Sequence, residues 1–298
     1  MQFADVKNDI AFRKIFGDEN RKETLISFLN AILDFKGKQR IIDVNILNPY
    51  QFPKLSRGKI TIVDIKASDQ QGRSYIVEMQ VGDLEGFPKR VLYYASKSYS
   101  DQIKRSDFYR KLYPVILVGI LDFELTQNPH YLSRHRVLDV ETGEQTIKDI
   151  EFTFVELPKF HKKPKELKTL AEKWIFFIKN AEELTFIPDT DDAGLLSAYE
   201  QANMHTWTQK ELDAYDYTFM REEDGRARID KAEAKGMEKG MEKGRAEGIA
   251  KGMEKGMEKG RAEIICSMSK SGLSTEQIAE ITKMSVNEVK KILKNCND

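Results

Sequence analysis

Two carboxylates, Asp64 and Glu78, stand where a short hairpin would set them face to face. Residues 60–68 alternate and are rich in β-branched side chains, Asp69-Gln70-Gln71-Gly72-Arg73 is a turn cluster, and residues 74–81 are again strand-like. That succession reads as strand, turn, strand. Pairing Ser68 with Ser74 around the turn brings Asp64 opposite Glu78. With a side-chain period of two, Asp64 and Lys66 share one sheet face, as do Glu78 and Gln80. Like charges directly opposite in a sheet repel, so a chain that places them there calls for a cation between them. Hard oxygen donors with room for water suit magnesium. The plain alternative is a half-exposed hairpin with scattered charges, in which a slip of one residue would separate the two carboxylates.

The elements around the hairpin must hold it in place. Residues 8–34 carry apolar side chains at helical spacing (Ile10, Phe12, Ile15, Phe16, then Leu25, Phe28, Leu29, Ile32), interrupted at Gly17-Asp18-Glu19-Asn20. Two helices are expected, the first capped by Asn8 or Asp9. Residues 41–47 read as a strand and 87–105 as a helix with Val91, Leu92, Ala95 and Tyr99 on one side. The run YPVILVGIL over 113–121 fits a strand buried on both faces. Strand-like runs at 136–140 and 150–157, a helix at 164–180 and less clear helical sequence over 182–224 extend the core. The order helix, strand, strand, strand, helix, strand specifies an α/β fold, a mixed sheet flanked by helices.

Length and composition set broad limits. A chain of 298 residues has room for a sizeable core and an appendage. Its formal net charge is zero, so any phosphate binding would come from a local patch. Cys266 and Cys296 stand far from any CxxC or Cys/His cluster, which indicates neither a disulfide framework nor a zinc site. The four histidines are scattered without ligand spacing. No apolar run approaches eighteen residues, and the opening residues are not a signal peptide. A cytoplasmic protein without membrane contact is the expectation.

The C-terminal region has its own character. From Lys235 a glycine recurs every fourth residue, Gly236 through Gly260, with Lys and Glu between. A helix there would have charge pairs at i, i+3 and i, i+4, yet each glycine costs about 0.8–1 kcal/mol relative to alanine. A flexible or weakly helical tether is expected, with self-association of residues 235–263 along the glycine stripe as the sharper alternative. Residues 264–298 read as a capped helical hairpin. Ser274 and Ser285 are apt N-caps with Gln277 and Glu288 three residues on. Ile278, Ala279, Ile281, Val289, Ile292 and Leu293 would form its core. The pattern resembles a helix-turn-helix, whose second helix would offer Ser285, Val286, Asn287 and Glu288 to DNA; a packing hairpin is the alternative.

The order of elements, with Asp64 before the second hairpin strand and Glu-x-Gln at 78–80, resembles the PD-(D/E)xK nuclease superfamily. Within it the chain is similar to the Rpn family of recombination-promoting nucleases and transposases. The match rests on Asp9–Gly17 (DIAFRKIFG), Val63–Ala67 (VDIKA), Tyr75–Gln80 (YIVEMQ), Arg90–Lys97 (RVLYYASK) and the apolar strand after Tyr113, together spanning roughly residues 5–225. The resemblance implies a restriction-endonuclease-like αβββαβ core and phosphodiester hydrolysis in DNA with Mg2+ or Mn2+. It implies Asp64, Glu78 and the Met79 carbonyl as metal ligands. The superfamily's lysine two residues after the second acid is Gln80 here, a hydrogen-bonding but uncharged group. Lys66, Lys97 or Arg90 could supply the missing charge. Asp9 matches a supporting acid on the first helix, although Asp also favours an N-cap. Arg90 and Tyr94 share a helix face and could approach phosphate; Lys14 reads as a surface charge. The domains expected are a nuclease-like domain over 1–225, a repeat tether over 226–263 and a helical hairpin over 264–298. Rival readings are a nuclease-fold DNA-binding module that does not cut, and an interaction protein assembled through its tail.

Overall fold

The computed structural model describes residues 1–48, 50, 51, 61–82, 85–104 and 106–296. By compactness the chain divides into two units, Met1–Arg221 and Glu222–Asp298.

In the first unit, helices α1 (Asp9–Phe16) and α2 (Lys22–Leu33) form where the apolar spacing places them. Strand β1 (Val44–Leu47) follows, then the short pair β2 (Tyr50–Gln51) and β3 (Thr61–Ile62), which forms a two-stranded sheet of its own. The hairpin is β4 (Ile65–Asp69) and β5 (Ser74–Gln80). After it come α3 (Phe87–Ser100), β6 (Val115–Leu121), β7 (Leu132–Arg136) and β8 (Ile150–Glu156). Helices α4 (Leu170–Asn180) and α5 (Ala193–Ala202) lead to α6 (Gln209–Lys270), which continues into the second unit. The main sheet has the order β1-β4-β5-β6-β8-β7. It is mixed: β5, β6 and β8 run parallel and the other pairs antiparallel. This is the mixed sheet flanked by helices that the order of elements specified, and the restriction-endonuclease-like architecture that the resemblance implied.

Alternation along the strands divides the core between the two sheet faces. Ile116, Val118 and Ile120 of β6, with Tyr75, Val77 and Met79 of β5, pack with α1, α2, α4 and α5 around the buried Trp174. Val115, Leu117 and Leu121, with Ile76, pack with Phe87, Val91 and Ala95 of α3. Strand β6 is therefore buried on both sides, as its unbroken apolar run requires. Glu78 and Gln80, two and four residues beyond Ile76, belong by parity to the α3 face. Gly119, paired with Glu78, is side-chain-free for a steric reason: a Cβ there would lie 2.8 Å from the Phe154 ring.

Several boundaries differ from the sequence expectation. The first hairpin strand is broken at Val63–Asp64, so Thr61–Ile62 pairs with β2 while only Ile65–Asp69 pairs with β5. Residue 60 of that expected strand and residue 105 of the expected helix lie outside the described residues. The strand expected at 136–140 is formed by Leu132–Arg136, where hydrogen bonding to β8 outweighs the apolar content of the later residues, and Val137, Leu138 and Val140 are left exposed. The helix expected from 164 begins at Leu170, because Thr169 and Glu172 close a capping box there.

In the second unit the glycine repeat lies within α6 and is helical, the more ordered of the two states considered for it. Both capping boxes are present, at Ser274/Gln277 of α7 (Thr275–Thr282) and Ser285/Glu288 of α8 (Val286–Lys294). Ile265, Ile278, Ala279 and Val289 form the small core, whereas Ile281, assigned to it by periodicity, is 56% exposed. One expectation is overturned: Cys266 and Cys296 are joined by a disulfide with Cα atoms 5.9 Å apart. Thirty residues separate them in sequence, and only the return of α8 toward the end of α6 brings them together.

Candidate active site

The hairpin register is the expected one, with Ser68 opposite Ser74 and Ile65 opposite Val77. The next step along both strands is Asp64 and Glu78. Asp64 sits in a bend rather than in the ladder, and its carboxylate takes over the ladder's role. Asp64 Oδ2 accepts the main-chain N–H of Met79 at 2.9 Å. This bond fixes the carboxylate beside β5, next to Glu78. The turn that sets the register is itself well braced. The buried Asp69 carboxylate accepts from the Arg73 guanidinium at 2.6 Å, the Tyr75 hydroxyl at 2.9 Å and the Gln71 N–H at 2.9 Å.

Glu78 is 8% exposed, and its Oε1 has no hydrogen-bond partner among the described residues. Burial first, and the charge of Asp64 second, push its carboxyl well above the usual carboxylate range. A buried carboxylate with an orphaned oxygen beside a second carboxylate is a poor structural device on its own. It does suit a hard cation. Among the described residues no three His, Cys, Asp or Glu side chains converge. The side-chain donors on hand are the oxygens of two carboxylates, and such hard donors are of the kind that fits magnesium or manganese.

The cations around the pair are arginines. Arg13, near the end of α1, donates to Asp64 Oδ1 at 3.0 Å. Burial alone would lower its pKa, but the hydrogen bond and charge of Asp64, with Asp9 and Glu78 behind it, raise it. Arg90 of α3 donates to the Gln80 carboxamide oxygen, lies over the Phe87 ring and leaves its Nε buried without a partner among the described residues. Gln80 donates in turn to the Gly82 carbonyl at 2.9 Å.

The remaining sequence candidates fall into two groups. Asp9 opens α1 but does not cap it: Asn8 Oδ1 accepts from Ile10 N–H at 2.9 Å and does that work. The Asp9 carboxyl is raised by burial and then by the charge of Asp64. Tyr94 is half-buried, and its hydroxyl is raised by burial and then by Glu78 and Asp64. Lys66, by contrast, is lowered by burial, and the charges it feels are those of Asp101, just past the end of α3, and Lys97. Lys97 itself pairs with Asp101 at 3.3 Å. Lys14 bonds Glu211 and lies over the Trp207 ring, a packing role rather than a loose surface charge.

Arg13 is the residue that sequence reasoning passed over. Its one signal was position, four residues after Asp9 on the same helix face. The geometry now described can be set beside known proteins. Neither a comparison with curated proteins nor one with solved structures finds a match. A family model does match, over residues 6–232, and its family is described as a PD-(D/E)XK nuclease family transposase. That span includes both carboxylates, both arginines and every strand of the main sheet. The chain belongs to the PD-(D/E)XK nuclease family transposases.

Proposed function

We propose that this protein is a metal-dependent DNA endonuclease acting in recombination or transposition, bacterial in type and cytoplasmic. The observation that carries the reading is the Asp64–Glu78 pair. Two carboxylates meet where β4 begins and β5 ends, one of them buried with an oxygen that has no partner among the described residues; Arg13 bonds Asp64, and Arg90 stands beside the pair through Gln80.

Asp64, Glu78 and the Met79 carbonyl are the groups that would hold Mg2+, or Mn2+ in its place. Such an ion, when bound, polarises a phosphodiester and lowers the pKa of a water. The chain's own residues do the rest. Met79 N–H keeps the Asp64 carboxylate aimed at the site. Gln80 and Arg90 act as one unit: the carboxamide can orient a water, and the guanidinium bonded to it brings the positive charge that glutamine lacks. Tyr94 can donate a hydrogen bond to a phosphate oxygen, and Asp9 adds negative charge at the mouth. Lys66 remains a candidate on the same face, at one remove from the pair. In this reading residues 1–225 form the nuclease domain, 226–263 the repeat tether, which is helical, and 264–298 a hairpin that presents α8 to DNA.

The test is incubation of purified protein with supercoiled plasmid in Mg2+, Mn2+ or EDTA, beside Asp64→Ala and Glu78→Ala variants. Metal-dependent nicking that either variant loses supports the reading. Tight DNA binding by folded protein without cutting in either metal would replace it with a nuclease-fold DNA-binding module, a reading favoured by the neutral Gln80. Self-association has its own observation: apart from the helix's own nearby backbone, nothing among the described residues lies within 4 Å of where a Cβ would stand on the seven repeat glycines of α6. Deleting residues 235–263 and measuring mass in solution tests whether that open stripe joins two copies.

A further inference from the structure

The two oxygens of Asp64 are held in different ways. Oδ2 is bonded to a main-chain N–H of β5 at 2.9 Å, an attachment that moves only if the strand moves. Oδ1 is bonded at 3.0 Å to the tip of Arg13, whose side chain is 43% exposed while that of Asp64 is 10% exposed. The Arg13 main chain is anchored, since its carbonyl accepts the Gly17 N–H at 2.8 Å and ends α1. Only the side chain is free to leave, and it has solvent to leave into.

Arg13 also meets the negative charge that a metal held by Asp64 would use. It bonds Asp64 directly and feels the charges of Asp9 and Glu78, so it balances the carboxylates that would otherwise repel across the hairpin. A divalent ion and this guanidinium compete for one oxygen and one region of negative potential. Once released, the guanidinium has a natural acceptor in a phosphate, which its planar fork matches in geometry and charge.

We propose that Arg13 is an exchangeable counter-ion: it closes Asp64 in the metal-free protein, yields that oxygen to the divalent metal, and turns outward to the DNA phosphate. The inference rests on the metal-dependent nuclease reading and assigns a residue that this reading leaves out. It couples the two binding events. Metal frees the arginine for DNA, and DNA, by holding the arginine, favours metal, as linkage between sites requires.

The experiment measures Mn2+ binding to full-length protein by electron paramagnetic resonance without DNA, for wild type, Arg13→Met, Arg13→Lys and Asp64→Asn. Because Met79 N–H still holds Asp64, Arg13→Met is expected to bind Mn2+ about tenfold more tightly, the scale of losing one competing charge-assisted hydrogen bond. Arg13→Lys is expected to fall between. In Ca2+, Arg13→Met is expected to bind a short DNA duplex more weakly than wild type, with metal no longer promoting DNA binding. Mn2+ affinity that is unchanged or weaker in Arg13→Met, with Asp64→Asn abolishing binding, would overturn the exchange while leaving the metal site intact. Wild-type protein that binds no Mn2+, or binds it equally well with Asp64→Asn, would remove the metal site and the exchange together. Circular dichroism of each variant keeps misfolding apart from these outcomes.

Discussion

Gln80 of β5 accepts a hydrogen bond from Arg90 of α3, so the position where the superfamily motif has a lysine is joined to a guanidinium delivered from another element. The uncharged Gln80 thus has a cation bonded to it. Arg90 lies against the Phe87 ring at 5.3 Å, a stacking arrangement that guanidinium tolerates and ammonium matches less well.

Removing that charge should slow cleavage. Arg90→Ala is expected to lower the single-turnover nicking rate by roughly a hundredfold, the scale of losing one preorganised donor at a developing charge. Restoring a cation from the strand, in the Gln80→Lys, Arg90→Ala double variant, should recover part of the rate. A double variant as slow as Arg90→Ala alone would mean that the arginine does something other than supply charge.

Glu78 should make stability depend on pH in a defined direction. Its folded pKa is raised, by burial first and Asp64 second. The folded state therefore holds its proton more tightly than the unfolded chain does. This stabilisation is complete below the ordinary carboxylate pKa and is lost as pH rises through the raised folded value. In EDTA, Glu78→Gln should abolish that loss and raise Tm at neutral pH, on a scale of about 2–4 °C per kcal/mol for a unit of this size. Mg2+ should raise the Tm of wild type and leave the variant unmoved, which differential scanning fluorimetry reads directly.

Asp69 should matter to the site without touching it. Its carboxylate is fully buried and satisfied by Arg73, Tyr75 and the Gln71 N–H. Asp69→Ala would leave the Arg73 guanidinium without its partner, a change that costs about 3–5 kcal/mol for a buried pair. Urea unfolding of the first unit should show that loss. Mn2+ affinity should fall as well, because the turn sets the register that brings Asp64 beside Glu78.

The glycines of α6 should be replaceable. Apart from the helix's own nearby backbone, no atom of the described residues lies within 4 Å of the Cβ position at Gly240 or Gly256. Each Gly→Ala change should stabilise the helix by up to about 1 kcal/mol, seen as a higher melting temperature of the circular dichroism signal at 222 nm. If two copies meet on the stripe, the same methyl groups should weaken association, and sedimentation equilibrium would show a lighter species.

The chain's local chemistry determined a good deal by itself. Alternation and the Asp69–Arg73 turn specify the β4–β5 register, and helical spacing separates α1 from α2. The Ser274 and Ser285 capping boxes mark α7 and α8, because each signal acts within a few residues of the backbone it organises. The acidic pair Asp64 and Glu78 was legible for the same reason: their relation depends on one short turn. Tertiary structure decided everything that depends on elements distant in sequence. It brought Arg13 to Asp64 across 51 residues, joined Arg90 to Gln80, and set Lys66 within reach of the charges of Asp101 and Lys97. It also closed Cys266 onto Cys296. Periodicity names the face a side chain occupies; which charge meets it there is settled by how the helices pack on the sheet, and no local pattern encodes that meeting.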